Sequence, residues 1–505
     1  MAMKWTIEQQ QVIDLRDANI LVAAAAGSGK TAVLVERIIT RLTKDEHPLN
    51  VDELLIVTFT EAAAAEMKER ILAAIEKALE EQPENQHLQK QATLIHSAAI
   101  TTIHSFCLSV IRDHFHRIDL DPVFRIGEEG ELKLLKQDIM NQLLELEYQA
   151  GNEEFLHFVE CVAPGKNDKR MESLILDLYE FSRSNPQPEL WLHGCAKKYE
   201  IQNLEELAVS SVGQFIRESI AMELEEVIER TKRALDICLE IGGPHHYEEA
   251  IRADMVMLEH LQESMKIEAQ NMLEGAYQCL NTLEWFPLSR KRPKDVEADK
   301  KQLVGDIRNS NKKVVKAWQD KYFYATPEKQ LEDIQHSGVL VKELVRLVNA
   351  YAQLYSKEKL NRGMLDFNDM EQYALKILTT VDEEHENSLI PSEVAKEYQE
   401  KFAEVMIDEY QDSNLVQEAI LTSVSKVSQG SYNIFMVGDV KQSIYRFRLS
   451  RPELFMDKFN RYDIQEGMER RIDLSKNFRS RSEVLDSTNE VFYQIMRTFL
   501  GGVEY

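Results

Sequence analysis

Apolar positions along the chain fall into two textures. Near both ends, short apolar runs suited to buried strands alternate with stretches of helical periodicity. Asn19–Val22 opens as a buried strand, and Ala32–Leu42 follows with Val33, Leu34, Ile38 and Leu42 on one side of a helix. Leu54–Thr60 is a second apolar run, feeding a strong helix over Glu61–Lys77. Ala98–Phe106 repeats the arrangement, with Cys107–Phe115 as its helix. Strand patterns return at Glu404–Asp408, Tyr432–Val437 and Arg471–Leu474. Between Gly127 and Arg362 strand signals fade and long helical patterns dominate, as at Glu131–Tyr148 and Ser219–Ile241. Strands that each feed a helix predict an α/β fold with a parallel sheet, interrupted by a large all-α insertion. The strands deliver polar, charged or aromatic residues at their C-terminal ends, where open α/β sheets bind ligands.

Between the first strand and its helix, Ala23 to Gly29 are only alanine, glycine and serine, and Lys30 and Thr31 follow. Strand, small-residue loop, Lys-Thr and helix is the arrangement of a phosphate-binding loop. Small side chains let the backbone N–H groups of Ala24, Ala25, Ala26, Gly27, Ser28 and Gly29 curl around phosphate oxygens, and the helix adds its positive N-terminal end. Lys30 can reach the outer phosphates as a point charge, and Thr31 can place a hydroxyl on Mg²⁺. The usual pattern begins with glycine where Ala24 stands, so that position is expected not to need positive φ. Upstream, Thr6 can cap a short helix over Trp5–Ile13, within which Gln9 has the donor and acceptor to read an adenine edge. A solvated helix explains Gln9 equally well at this stage.

Composition narrows the setting. The chain has 505 residues, 44% hydrophobic and 29% charged, enough for several domains with substantial cores. It has no run of about 18 apolar residues and no apolar leader near its N-terminus, so a cytoplasmic protein is expected. Its five cysteines, Cys107, Cys161, Cys195, Cys238 and Cys279, form no CxxC pair and read as free thiols. A net charge of −26 argues against a uniformly basic surface but allows a basic groove. Against that background, Ser289–Lys321 holds eleven Lys/Arg and five acidic residues, which fits either a solvated helical face or a DNA contact.

An apolar strand ending in Asp408 and Glu409 complements a phosphate loop. Asp408 would hold Mg²⁺, and Glu409 would orient and deprotonate an attacking water. Gln442, four residues after Gly438, can sense a γ-phosphate. Arg479 can neutralise charge on a transferred phosphoryl group, with Lys476 and Arg481 its competitors by spacing.

Taken in order, AAAAGSGKT, TFTEAAAAEM, TIHSFC, DFNDM, VMIDEYQDSN, VGDVKQSIYRFR and LSKNFRSR resemble superfamily 1 helicases of the UvrD/Rep/RecB type, most of all AddA-type helicase–nuclease subunits. The resemblance implies a RecA-like P-loop NTPase fold, with motor domain 1A over 1–126 and 363–474, a helical domain 1B over 127–362, and the start of domain 2A over 475–505. It implies ATP and Mg²⁺ as cofactors and DNA, as single strand and duplex end, together with an AddB-like subunit, as partners. Gln9 falls at the adenine-reading glutamine, Lys30 and Thr31 at the Walker A pair, Asp408 and Glu409 at the Walker B pair and Gln442 at the coupling glutamine. Phe478 falls at the aromatic that stacks on adenine and Arg479 at the first arginine finger. Phe59, Thr60, His104, Tyr445, Phe447 and Arg448 match positions that hold single-stranded DNA, where aromatic stacking accepts every base. Tyr445 and Phe447 also fit core positions. Later helicase motifs and a nuclease cluster are not found before Tyr505, so the chain is expected to be part of a longer protein and to bind more than it turns over. A stand-alone UvrD/Rep-type helicase, a module that only binds nucleotide and DNA, and a small-molecule kinase are the competing readings.

Overall fold

The computed structural model describes residues 4–496, apart from 46, 166, 267–268, 292, 383 and 386–387, and apart from the side chains of 269–271 and 448. It divides into two compact units. One comprises residues 1–150, 169–188 and 348–505, the other residues 151–168 and 189–347. The second unit is thus narrower than the 127–362 stretch delimited from the sequence.

The first unit is built on a six-stranded sheet. Its strands are β1 (Asn19–Ala24), β2 (Leu54–Thr58), β3 (Ala99–Thr102), β4 (Glu404–Ile407), β5 (Ile434–Gly438) and β6 (Glu469–Leu474). Their order is β6-β1-β5-β4-β2-β3, and every pairing is parallel. The apolar runs are continuous because both faces are covered. Leu21, Leu55, Val57, Val405, Ile407 and Met436 enter the core on one face. Their neighbours Ile20, Val22, Leu54, Ile56, Met406, Phe435 and Val437 enter the core on the other. All six C-terminal ends lie along one edge, which positions the site.

Most predicted elements are present with shifted ends. β3 stops at Thr102 and the helix begins at Ile103, not Cys107, because the Thr102 hydroxyl accepts the Ser105 N–H and caps it. A parallel pair, Arg125–Ile126 with Met364–Leu365, and an antiparallel pair, Thr379–Asp382 with Ser388–Pro391, were not anticipated. The 35-residue helix Pro327–Asn361 crosses the division between the units at 347/348.

In the second unit the helices include Glu153–Val162, Ser211–Leu239, Glu248–Met265 and Ala298–Tyr322. Leu224, Val227, Leu258, Leu261, Leu280, Val315 and Trp318 form its main core. Among the described residues, no helix is long and apolar enough to cross a membrane.

Candidate functional site

The loop after β1 has the backbone a phosphate cradle needs. Gly27 (φ 74°) and Gly29 (φ 87°) adopt left-handed conformations, whereas Ala24 ends β1 without positive φ. Gly29 is the N-cap of the Lys30–Thr43 helix and brings no side chain to its N–H groups. Those N–H groups and the helix's positive end therefore face the loop. A Cβ on Gly27 would stand 2.8 Å from Cβ of Arg479 and 2.9 Å from the Asn477 amide, so only glycine permits this approach. Asn477 Nδ2 donates to the Ala26 carbonyl (2.7 Å), and the Phe478 N–H donates to the Gly27 carbonyl (2.9 Å). The Ser475–Arg481 segment thereby lies against the loop, with Phe478 62% exposed and Arg479 exposed beside it. The Ser28 hydroxyl is buried and has no hydrogen-bond partner among the described residues.

Gln9 is buried against the same loop. Its Nε2 donates to the Ser28 carbonyl (3.0 Å), and its Oε1 accepts the Thr6 N–H (3.0 Å) in a capping box. The T-x-x-Q spacing in TIEQ carries that signal in the sequence.

The acidic side of the site comes from the ends of β4 and β5. Glu409 has φ 52°, a left-handed conformation rare for its residue type. Its carboxylate accepts from Lys30 Nζ at 3.1 and 3.3 Å, joining residues 379 positions apart. Asp408 Oδ1 accepts the Glu409 N–H (3.1 Å). Burial, then the charge of Glu409, pushes Asp408 up to about 6 against the pull of Lys30. The same two causes push Asp412 up to about 6. Thr31 is exposed in the first turn of the Lys30–Thr43 helix, next to Lys30 in sequence.

A residue that motif spacing left unassigned links the parts. Gln411 Nε2 donates to Glu409 (2.8 Å) and Asp412 (3.1 Å), while its Oε1 accepts the Asp439 N–H (2.9 Å). A Cβ on Gly438 would push Gln411 Oε1 out of this position, so the glycine leaves the room the amide uses. Gln442 Nε2 donates in turn to Asp439 (2.7 Å). A hydrogen-bonded chain therefore runs from Lys30 through Glu409, Gln411 and Asp439 to Gln442.

Tyr445, three residues after Gln442 in sequence, begins the aromatic positions. Phe59 after β2 and Tyr445 after β5 have ring centroids 4.5 Å apart, and Phe447 lies 5.9 Å from Tyr445. Phe447 is 75% exposed, so this row opens outward rather than filling the core. Thr60 caps the Glu61–Glu81 helix through its hydroxyl. His104 Nε2 lies 3.2 Å from Glu371, and its ring meets Phe367 edge-on. Arg448 sits in a one-turn helix, and its side chain lies outside the described residues. Every sequence-predicted site residue is at the strand-end edge or in segments packed on it. Gln411, Asn477 and Glu371 are the additions.

Residues 5–463 match the model of the UvrD/REP helicase N-terminal domain. The chain belongs to that family. Three similar proteins are each named as the A subunit of an ATP-dependent helicase/nuclease. That of Lachnoclostridium phytofermentans is 49% identical over 99% of this chain and 36% of its own length. Those of Clostridium beijerinckii and Acetivibrio thermocellus are 43% and 41% identical over 99% of this chain and 40% of theirs. The chain thus spans 36–40% of the length of these relatives. The matched span covers nearly the whole chain, the helical stretch included.

Proposed function

We propose that the chain is the motor portion of an AddA-like helicase–nuclease subunit that hydrolyses ATP to move 3′→5′ along single-stranded DNA in double-strand break repair and recombination. In the whole protein it works on DNA ends with an AddB-like subunit in the cytoplasm. A nuclease activity, part of the relatives' name, is assigned to the whole protein. The observation that carries this reading is the meeting of Lys30 and Glu409 at 3.1 Å, beside Asp408, where β1 and β4 end. The six-stranded sheet is read as RecA-like motor domain 1A (1–126 and 363–474), with 127–362 as helical domain 1B and 475–505 as the start of domain 2A. The pairing of Arg125–Ile126 with Met364–Leu365, which joins the two ends of the helical stretch, supports that division.

The residues fit a magnesium nucleotide. The cradle between Gly27 and Gly29 leaves a buried hydroxyl unpartnered, and the Thr31 hydroxyl and Asp408 carboxylate are hard oxygen donors suited to Mg²⁺. Bound Mg·ATP supplies a γ-phosphoryl group whose oxygens the metal polarises. Lys30, exchanging Glu409 for phosphate oxygens, places its charge on the leaving side. The released Glu409 carboxylate accepts a proton from the attacking water. Gln442 responds to the γ-phosphate and passes the change along Asp439 and Gln411. Arg479 neutralises transferred charge, Phe478 stacks on adenine, and Gln9 offers its remaining amide hydrogen to the base edge. Phe59, Tyr445 and Phe447 stack on bases, with Thr60, His104 and Arg448 beside the strand.

The test uses nucleotide binding and ATP hydrolysis of the whole protein, with and without single-stranded DNA. Lys30→Ala is expected to abolish DNA-stimulated hydrolysis. Glu409→Gln is expected to keep nucleotide binding and to lose hydrolysis by a factor on the order of 10²–10⁴. Normal turnover in Glu409→Gln would remove that residue as the base, and a wild-type rate indifferent to DNA would sink the motor reading.

A further inference from the structure

The unit of residues 151–168 and 189–347 carries a cluster that neither nucleotide nor DNA binding uses. His157 and Cys161 lie four residues apart on the Glu153–Val162 helix, so they project on the same side. His336, on the Pro327–Asn361 helix, meets them: its Nε2 lies 3.3 Å from His157 Nε2, and Cys161 Sγ lies 3.8 Å from that same nitrogen. One donor atom from each residue falls within 4.8 Å of the other two.

We propose that His157, Cys161 and His336 form a binding site for a borderline-soft divalent ion, Zn²⁺, which ties these two helices together. A tetrahedral zinc has Zn–N distances of about 2.0–2.1 Å and Zn–S of about 2.3 Å. Those lengths require ligand atoms about 3.3 Å apart for two nitrogens and about 3.6 Å apart for nitrogen and sulfur. The nitrogen–nitrogen separation of 3.3 Å equals that length, the sulfur stands 3.8 Å from His157 Nε2 and within 4.8 Å of the His336 donor, and side-chain rotation alone closes the remaining gap. A hydrogen bond between the two imidazoles would explain 3.3 Å, and the four-residue spacing brings the thiol to the His157 ring, 3.8 Å from Nε2 and 4.0 Å from Nδ1; what an ion adds is a common partner for all three donors. One thiolate with two imidazoles selects zinc over magnesium or calcium, which prefer oxygen donors. Cys161 and His336 are exposed, so an ion can reach them. On binding, an S–Zn bond forms, the Cys161 S–H proton passes to solvent, and both imidazoles bind as neutral lone-pair donors. Three protein ligands leave a fourth position for water. Cys279 provides an internal comparison: its sulfur lies 3.9 Å from His260 Nδ1, but the His157 trio is the one three-donor group among the described residues.

The experiment titrates the whole 505-residue chain with Co²⁺ and, competitively against a chromophoric chelator, with Zn²⁺. The expected result is one tight site, a thiolate-to-cobalt charge-transfer band with tetrahedral visible bands, and a Tm that rises with Zn²⁺. Cys161→Ser should lose the charge-transfer band. His336→Ala, which removes a ligand outright, should weaken Zn²⁺ binding by at least about a hundredfold, the upper end for loss of an outer-shell partner, and lose the Tm rise. Cys279→Ser should behave as wild type. Circular dichroism checks that the variants remain helical, as exposed positions should. A wild type without the cobalt–thiolate band would overturn the proposal, as would a band that survives Cys161→Ser or disappears with Cys279→Ser.

Discussion

Glu409 holds a backbone conformation that costs an L-residue roughly 1–2 kcal/mol, and side chains kept in such a state cluster at functional sites. Its neighbour Asp408 bears a second cost, since burial and the Glu409 charge push it up to about 6 from an ordinary 3.8. The folded, unliganded chain therefore keeps a proton on Asp408 that the unfolded chain loses between about pH 4 and pH 6. Stability linked to this carboxyl is greatest below its unfolded value and is lost as pH rises through the folded one. Asp408→Asn should accordingly stabilise the protein in EDTA by on the order of 2–3 kcal/mol at pH 8, and by about half that at pH 5. Urea unfolding at the two pH values measures this, and an equal gain at both would refute it. Lys30, Asp408 and Glu409 were legible in the sequence because local motifs specify them. Gln411 and Asn477 were not, because their partners Asp439 and Ala26 come close only once the strands have paired.

At the scale of elements, the sheet edge holds its groups in place because the opposite end is locked. Arg37, on the buried side of the Lys30–Thr43 helix, donates through Nη2 (2.6 Å) and Nε (2.9 Å) to Glu404 at the start of β4. Its Nη1 donates to the carbonyls of Val12 (2.6 Å) and Leu15 (2.7 Å), and its guanidinium lies over the Phe435 ring. One side chain thus joins the first helix, the loop's helix, β4 and β5. Removing Arg37 strips Glu404 of its two shortest bonds and leaves it only Arg41 Nε at 3.2 Å, so Arg37→Ala should destabilise the protein by on the order of 3 kcal/mol, the low end for a broken buried pair. Chemical denaturation checks this, and a loss under about 1 kcal/mol would show that Arg41 alone suffices to hold Glu404. The strands were readable because both faces of the parallel sheet are buried and each run is apolar throughout. The Thr379–Asp382 and Ser388–Pro391 pair escaped notice because Thr-Thr-Val-Asp and Ser-Leu-Ile-Pro carry too little apolar alternation to stand out. The His157–Cys161 spacing was equally invisible as a site, since its third member lies 175 residues after Cys161.

At the scale of the molecule, the charge reversal over Ser289–Lys321 is the feature that sequence counting left open. Part of it is structural. Arg308 is buried and paired with Asp254, and it also donates to the Phe286 carbonyl. Lys300 donates to the Ile241 carbonyl and pairs with Glu240, and Lys316 pairs with Asp320. Lys312 lies over the Trp285 ring. Those cations serve the helical unit itself. Arg290, Lys291 and Lys294 are exposed in the segment before the Ala298–Tyr322 helix, and Arg292 lies outside the described residues. A cationic segment on a chain of net charge −26 would concentrate DNA phosphate locally, each contact steepening the salt dependence by about 0.9 in log–log slope on duplex DNA. Replacing Arg290, Lys291 and Lys294 with alanine should therefore flatten the duplex slope by up to about 2.7 units. Affinity for short single strands, assigned to Phe59, Tyr445 and Phe447 in the other unit, should hardly change. Duplex and single-strand affinities of both proteins across a series of salt concentrations measure the difference. An unchanged duplex slope would leave the segment as a solvated surface, whereas parallel loss on both substrates would place single-strand contacts there as well.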